Sequence, residues 1–153
     1  IGAKDGTFGN PGGRMREHQE ACAEYSVAVD SKAYLAGREQ GLKEYCRLEN
    51  AFSTGLEGHE YQYVCPPAID ALFHRYNAAA VAVFKDESEM ERIQVLISSK
   101  EEKLFDSKLS DADRKHIRNE IQNLDQDRFR LRQRYDDHRN RLEEYRREGR
   151  RTP

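Results

Sequence analysis

Between Pro67 and Pro153 the chain has no proline, and over most of that length its apolar residues fall at alternating steps of three and four. Ile69, Leu72, Tyr76, Ala79, Val83, Met90, Ile93, Ile97 and Leu104 share one stripe, with Asp86 and Lys100 as polar interruptions. After the break DSKLSDAD, a second stripe runs through Ile117, Ile121, Leu124, Leu131, Tyr135, Leu142 and Tyr145, with Arg128 and His138 as its polar members. Such spacing is the signature of helices that bury one face against another helix. Ser110 stands where its hydroxyl can cap the second helix, and Asp111 and Asp113 suit its positive end. Two helices of about 38 residues, each roughly 57 Å long, with only a short break between them, can bury their stripes by folding back as an antiparallel coiled-coil hairpin.

The first arm carries more apolar surface than one partner helix covers. It is apolar on every side from Ala78 to Phe84, and Val95, Leu96 and Ile97 widen the stripe further along. Its base is therefore expected to lie between the second arm and the N-terminal region. Val95 or Leu96 is expected to touch something else, a third helix or a partner protein, and both are candidates to face such a partner.

Composition changes at Pro66 and Pro67: nine of the ten glycines and all three cysteines come before them. The expected division is a glycine- and cysteine-rich helical head over 1–66, a hairpin over 67–148 with arms at about 67–106 and 111–148, and a tail over 149–153. The fold class is all-α, a small disulfide-braced head followed by the long hairpin. In the head, helices are expected from about Met15 to Tyr25 and from about Ser31 to Tyr45, the second capped by the Asp30 carboxylate. Residues 47–67 read as a loop with a short turn around Gly55 and Gly58. Gly37 and Gly41 lie one turn apart on the second of these helices, where each costs about 1 kcal/mol relative to alanine. Close approach of another backbone to that bare face would offset the cost.

Charged residues make up 35% of the chain and mean hydropathy is -1.00, but the net charge is only -2 and charges interleave with apolar residues at helical spacing. That pattern favours exposed helices over disorder. It offers no general attraction to nucleic acid or anionic membrane, and the basic cluster RREGRRTP at the end reads as a solvated helix terminus. The longest apolar run, Ala78 to Phe84, falls far short of the roughly 20 residues a membrane-spanning helix needs. Starting at Ile1 within what looks like the middle of a motif, the chain reads as processed or trimmed.

Cys46 and Cys65 close two echoing segments, YLAGREQGLKEYC and AFSTGLEGHEYQYVC. One reading is a disulfide tethering the loop to the glycine-bearing helix, worth about 3 kcal/mol in the chain-entropy model. The other is a pair of reduced, packed thiols. The small core available to the head favours the bridge. Cys22 is then odd, unless a further cysteine lies upstream. His18 and Cys22 share a helix face at a spacing metals use, but two ligands make no zinc site and no CxxC or HxxxH completes one. His59, His74 and His116 are scattered, and His138 sits in the seam, where a polar residue more often sets register. Neither Cys46 nor Cys65 has an oxyanion-type loop beside it, no phosphate-binding glycine loop is present, and the carboxylates read as solvated helix faces spaced for arginine pairs. No catalytic, cofactor-binding or metal residues are assigned, and no cofactor is expected.

IGAKDG, EHQEAC, YLAGREQGLKEYC and FSTGLEGHEYQYVCPP together resemble the bacterial domain-of-unknown-function family 2799, over about residues 1–76. The matching core is Asp30, Tyr34, Gly37, Gly41, Leu42, Tyr45 and Cys46, followed by Tyr61, Val64, Cys65 and Pro66. Members are mostly short envelope lipoproteins by inference, so the resemblance implies export, a periplasmic or outer-membrane-associated site, and membrane attachment only through an upstream lipid anchor. It also implies a cysteine upstream of this chain as a partner for Cys22. No activity comes with it. The leading expectation is a non-enzymatic envelope protein whose hairpin docks another component. Alternatives are a self-assembling oligomer or filament subunit and, more remotely, a metal- or thiol-dependent enzyme.

Overall fold

A computed structural model describes residues 1–150; the last three residues of the expected tail, 151–153, lie outside the described residues. Six helices follow one another: α1 (Gly2–Thr7), α2 (Arg14–Ala23), α3 (Ser31–Tyr45), α4 (Leu48–Leu56), α5 (Pro67–Lys103) and α6 (Asp111–Gly149). The all-α class and the long C-terminal helix pair are as the periodicity predicts. Asp30 caps α3 by accepting from the Ala33 N–H at 3.0 Å, and Ser110 caps α6 by accepting from the Asp113 N–H at 3.1 Å. Pro66 and Pro67 start α5 in the position where a missing N–H costs nothing.

α5 and α6 run antiparallel, and polar pairs mark their register from base to tip. Arg75 meets Glu148 at the base, Glu87 accepts from the Tyr135 hydroxyl at 2.9 Å, Arg128 donates to Gln94, and Lys100 meets Glu120 at 3.0 Å. At the turn, the Arg114 guanidinium donates to the Leu104 and Asp106 carbonyls. With 37 residues, α5 is about 55 Å long, and its distal half projects past the head. α5 ends at Lys103, so residues 104–106 of the expected first arm form turns, while α6 continues through Gly149.

Two helices differ from the sequence expectation. Residues 48–56 form α4 rather than a loop. Leu48, Ala51, Phe52 and Gly55 occupy one face of it, and Gly55 lies so close to α5 that a Cβ there would sit 2.6 Å from the Ala80 Cβ. A glycine read as a turn former is in fact a point of close helix crossing. Gly58 does end the segment, at φ +83 against the Phe84 ring. Phe52 stacks on Tyr76 at 4.7 Å, placing α4 over the base of α5. α1 is the second unforeseen helix, too short for periodicity to reveal.

α1 and α3 cross with their backbones in contact. A Cβ on Gly41 would lie 2.2 Å from the Ala3 carbonyl oxygen, one on Gly6 2.2 Å from the Arg38 oxygen, and one on Gly2 2.1 Å from the Tyr34 oxygen. Gly37 faces the same helix, 3.0 Å from the Ala3 nitrogen. Two glycines one turn apart on each helix therefore replace the side-chain layer that normally separates packed helices. Gly41→Ala should destabilise the protein by about 1–3 kcal/mol through this backbone clash, although the same change in an open helix gains roughly 1 kcal/mol. Denaturant unfolding of the variant checks the sign.

Candidate functional site

The joint between head and hairpin is covalent. Cys46, at the end of α3, is bonded to Cys65, just before α5, with their Cα atoms 5.6 Å apart. Aromatic rings surround this bridge. Tyr45 packs on Phe73 at 5.2 Å and Tyr61 on Phe73 at 4.7 Å, and Phe73 is fully buried. The Tyr61 hydroxyl accepts from the Cys65 N–H at 2.7 Å and donates to Asp70 at 2.6 Å. Burial, and after it the bond to Asp70, raise the pKa of Tyr61 and keep its proton in place. Asn77 on α5 finishes the joint: its carbonyl oxygen accepts from the Tyr61 N–H at 2.9 Å, and its amide nitrogen reaches the His59 carbonyl at 3.0 Å and Thr54 Oγ1 at 3.2 Å.

A second polar centre lies in the head. Asp5 on α1 is buried, and its carboxylate accepts from the Tyr34 hydroxyl at 2.7 Å and from Asn10 Nδ2 at 3.1 Å. His18 Nε2 lies 2.8 Å from the same carboxylate, with Arg14 Nε at 3.9 Å. Burial pushes the Asp5 carboxyl up, but hydrogen bonds from Tyr34, His18 and Asn10 outweigh it and hold the pKa at about 2. Desolvation and the same bond to Asp5 push Tyr34 up to about 12. Arg38 Nη2 donates to the Asn10 carbonyl at 2.8 Å and ties the α1–α2 turn to α3.

A third centre sits in the hairpin seam. Asp86 is almost fully buried; Arg134 places Nε 2.9 Å and Nη2 2.6 Å from one carboxylate oxygen, and His138 Nδ1 lies 2.7 Å from the other. Beyond it the seam turns apolar, with Ile93, Ile97 and Leu131 buried and Met90, Ile121 and Leu124 packed against them. A buried carboxylate with two specific partners on the opposite helix penalises any slip of one arm along the other, since a slip leaves it unpaired.

The sequence candidates fall as follows. Cys46 and Cys65 are brought together; Cys22 is a free, half-buried cysteine on α2. His18, considered with Cys22 for metal, turns its Nε2 to Asp5, and no group of three or more metal-binding side chains occurs among the described residues. Gly37 and Gly41 face α1. Val95 and Leu96 are exposed, at 63% and 37%, and no third helix among the described residues covers them. Phe129, at 65%, is exposed on the other arm and rims a shallow groove between the arms with Met90, Gln94 and Arg128. Phe105 stands out at the hairpin turn. The Asp5 centre was not legible: its carboxylate lies on a one-and-a-half-turn helix, and Asn10, His18 and Tyr34 come from three different segments. The quoted motif IGAKDG, with glycines flanking the aspartate, was the one available signal.

A family model described as a protein of unknown function (DUF2799) matches residues 1–81. The chain belongs to this family. No curated protein and no solved structure matches it. The DUF2799 match takes in the Asp5 centre, the Cys46–Cys65 joint and the first turns of α5, and ends before Asp86. Among the described residues no helix is long and apolar enough to cross a membrane.

Because the folded pKa of Asp5 lies below its ordinary value of 3.8, the stability it contributes is fully present above about pH 4. It is lost as pH falls through about 2. Thermal midpoints measured from pH 5 to pH 2 should drop over that window, and Asp5→Asn should lower the midpoint at pH 5 and flatten this part of the profile.

Proposed function

We propose that this DUF2799 protein is a binding module rather than an enzyme, working in an oxidising envelope compartment, with the distal half of its hairpin as the docking surface for another envelope protein. The head also exposes large apolar residues, Phe8, Tyr25 and Tyr63 among them; the observation that carries the reading is that the distal hairpin, which has only a narrow two-helix core to build, exposes several too. Val95 on α5, Phe129 on α6 and Phe105 at the turn all lie on the half of the hairpin that the head does not reach. Single exposed apolar residues are ordinary on a soluble surface. Three large ones along a narrow projection, two of them aromatic, cost solubility without helping to pack the chain's own core. Aromatic residues are also the side chains most enriched at protein interfaces.

The compartment part of the reading is supported by the disulfide, since such bonds persist where thiols are not kept reduced. A hairpin of this length, pinned at its base by the joint and in its seam by Asp86, is suited to hold a docking surface away from a surface-anchored head. Self-association through the same residues is the second reading, favoured by the same exposed rings.

Photo-crosslinking in cells separates these readings. A photoreactive residue at Val95 or Phe129 is expected to give an adduct with a second, different protein, while the same residue at Tyr25, exposed on the head, gives none. An adduct of twice the chain's own mass would support self-assembly. No adduct from either hairpin position would contradict docking altogether.

A further inference from the structure

We propose that the cleft between the α1–α2 turn and the 57–62 segment binds an uncharged saccharide chain, with a sugar face resting on Phe8 and sugar hydroxyls held by the amide and carboxylate side chains around it. The cleft measures about 910 Å³ and lies beside the Cys46–Cys65 joint. Residues 7–11 form one wall, α4 and residues 57–62 the other, and the buried Tyr45 the floor. Its size falls in the range of small-molecule sites, about 300–1,000 Å³, and such sites favour places where separately packed units meet. Here the units are the α1–α3 pair and the core of α4, α5 and α6. All its lining residues lie within the 1–81 segment that the DUF2799 model matches, and none lies on the distal hairpin.

The cleft is held open by its own packing. Gly9, at φ +65, sets the first turn directly on the Tyr45 ring, where a Cβ would lie 2.2 Å from Cζ. Gly58, at φ +83, seats the second on Phe84. Tyr45 packs in turn on Phe73 and adjoins the bridged Cys46. Asn50 Nδ2 donates to the Glu44 and Tyr45 carbonyls at 2.7 and 3.2 Å and fixes α4 to the end of α3. With walls and floor fixed in advance, binding has little of the chain to order. Phe8 is the exception among the aromatic residues here: it lines the cleft but stands exposed, outside the core.

The lining chemistry selects the ligand class. No lysine or arginine among the described residues lines the cleft, so a phosphate or carboxylate ligand would meet no counter-charge. The two carboxylates already have basic partners: Glu57 lies 3.6 Å from His59, and Glu60 2.6 Å from Lys85. A cationic ligand would have to compete with them. A wholly apolar ligand would strip water from Asn50, Gln62 and both carboxylates and offer no hydrogen bond in return. An uncharged saccharide avoids all three penalties. A pyranose ring offers a face of C–H groups to the Phe8 ring and a rim of hydroxyls that both donate and accept. The amides of Asn50 and Gln62 carry donors and an acceptor, and a carboxylate can accept from two hydroxyls, so the side chains around Phe8 match that rim.

The test titrates the isotope-labelled chain, with its Cys46–Cys65 bridge intact, and follows backbone amide shifts. The ligands are tetrasaccharides of N-acetylglucosamine, glucose and galactose, with spermidine and inorganic phosphate as charged controls. At concentrations up to about 10 mM, at least one saccharide should give saturable shifts confined to residues 7–11, 50–54 and 57–62. A response to the N-acetylglucosamine chain alone supports the site with a cell-wall glycan as its source, and a response to the hexose chains supports it with a surface polysaccharide. Phe8→Ala, a change at an exposed position, should weaken binding about tenfold through the lost ring face. Gln62→Ala should also weaken it, while Phe129→Ala on the hairpin leaves it unchanged. No saturable shift with any saccharide would overturn the proposal. So would shifts outside the cleft, undiminished binding in both Phe8→Ala and Gln62→Ala, or tighter binding of spermidine or phosphate than of every saccharide.

Discussion

The Cys46–Cys65 bridge is the constraint on which the rest of the structure depends. On one side of it α1 and α3 pack on each other; on the other α4, α5 and α6 share a continuous core running from Ala51 and Phe52 through Phe73 and Tyr76 to Tyr135 and Leu142. Between the two sets, helix-to-helix contact is slight. The bridge, with Tyr45, Tyr61 and Phe73 around it, makes them one body. A loop of this length gains about 3 kcal/mol from such a bond in the chain-entropy model, a large share of the stability of a domain this size.

Each half solves the shortage of core in its own way. The α1–α3 pair removes side chains, so that four glycines bring two backbones together, and it closes the gap with one carboxylate holding bonds from three segments. The hairpin keeps side chains but alternates them: apolar at the base, charged at Asp86, apolar again at Ile93, Ile97 and Leu131. In both halves a buried carboxylate meets a histidine and an arginine, yet the two centres act differently. Asp86 binds two long helices in register, whereas Asp5 gathers a turn and a short arm around a pair that already packs without them.

The sequence made the large features legible and the small ones obscure, for reasons of scale. Thirty-seven and thirty-nine residues of sustained periodicity announce α5 and α6, and α3 is framed by Asp30 and Cys46. The bridge was one of two readings of the echoing segments, favoured by the small core available to the head, and the structure shows it. α4 was hidden because Gly55 signals a turn when read alone and a crossing point only when Ala80 is seen beneath it. α1, at six residues, is shorter than two helical turns. The division at Pro66 marks a change in composition, while the core itself runs across it, from Tyr45 and Phe52 into α5 and α6. His138 in the seam could be read as a register residue from its position; His18 could not be matched to Asp5, because nothing local links residues thirteen positions apart across a glycine-rich turn.

The end of α3 meets the hairpin core through Tyr45 and Leu42, and the bridge beside them is the main tie between the α1–α3 pair and the hairpin; amide hydrogen exchange on oxidised and reduced protein tests this most directly. Reduction should sharply accelerate exchange across α3, Ser31–Tyr45, while the amides around Ile93, Ile97 and Leu131 in the distal seam keep their protection. If α3 stays as protected in the reduced protein as in the oxidised one, the bridge is not what holds the two halves together.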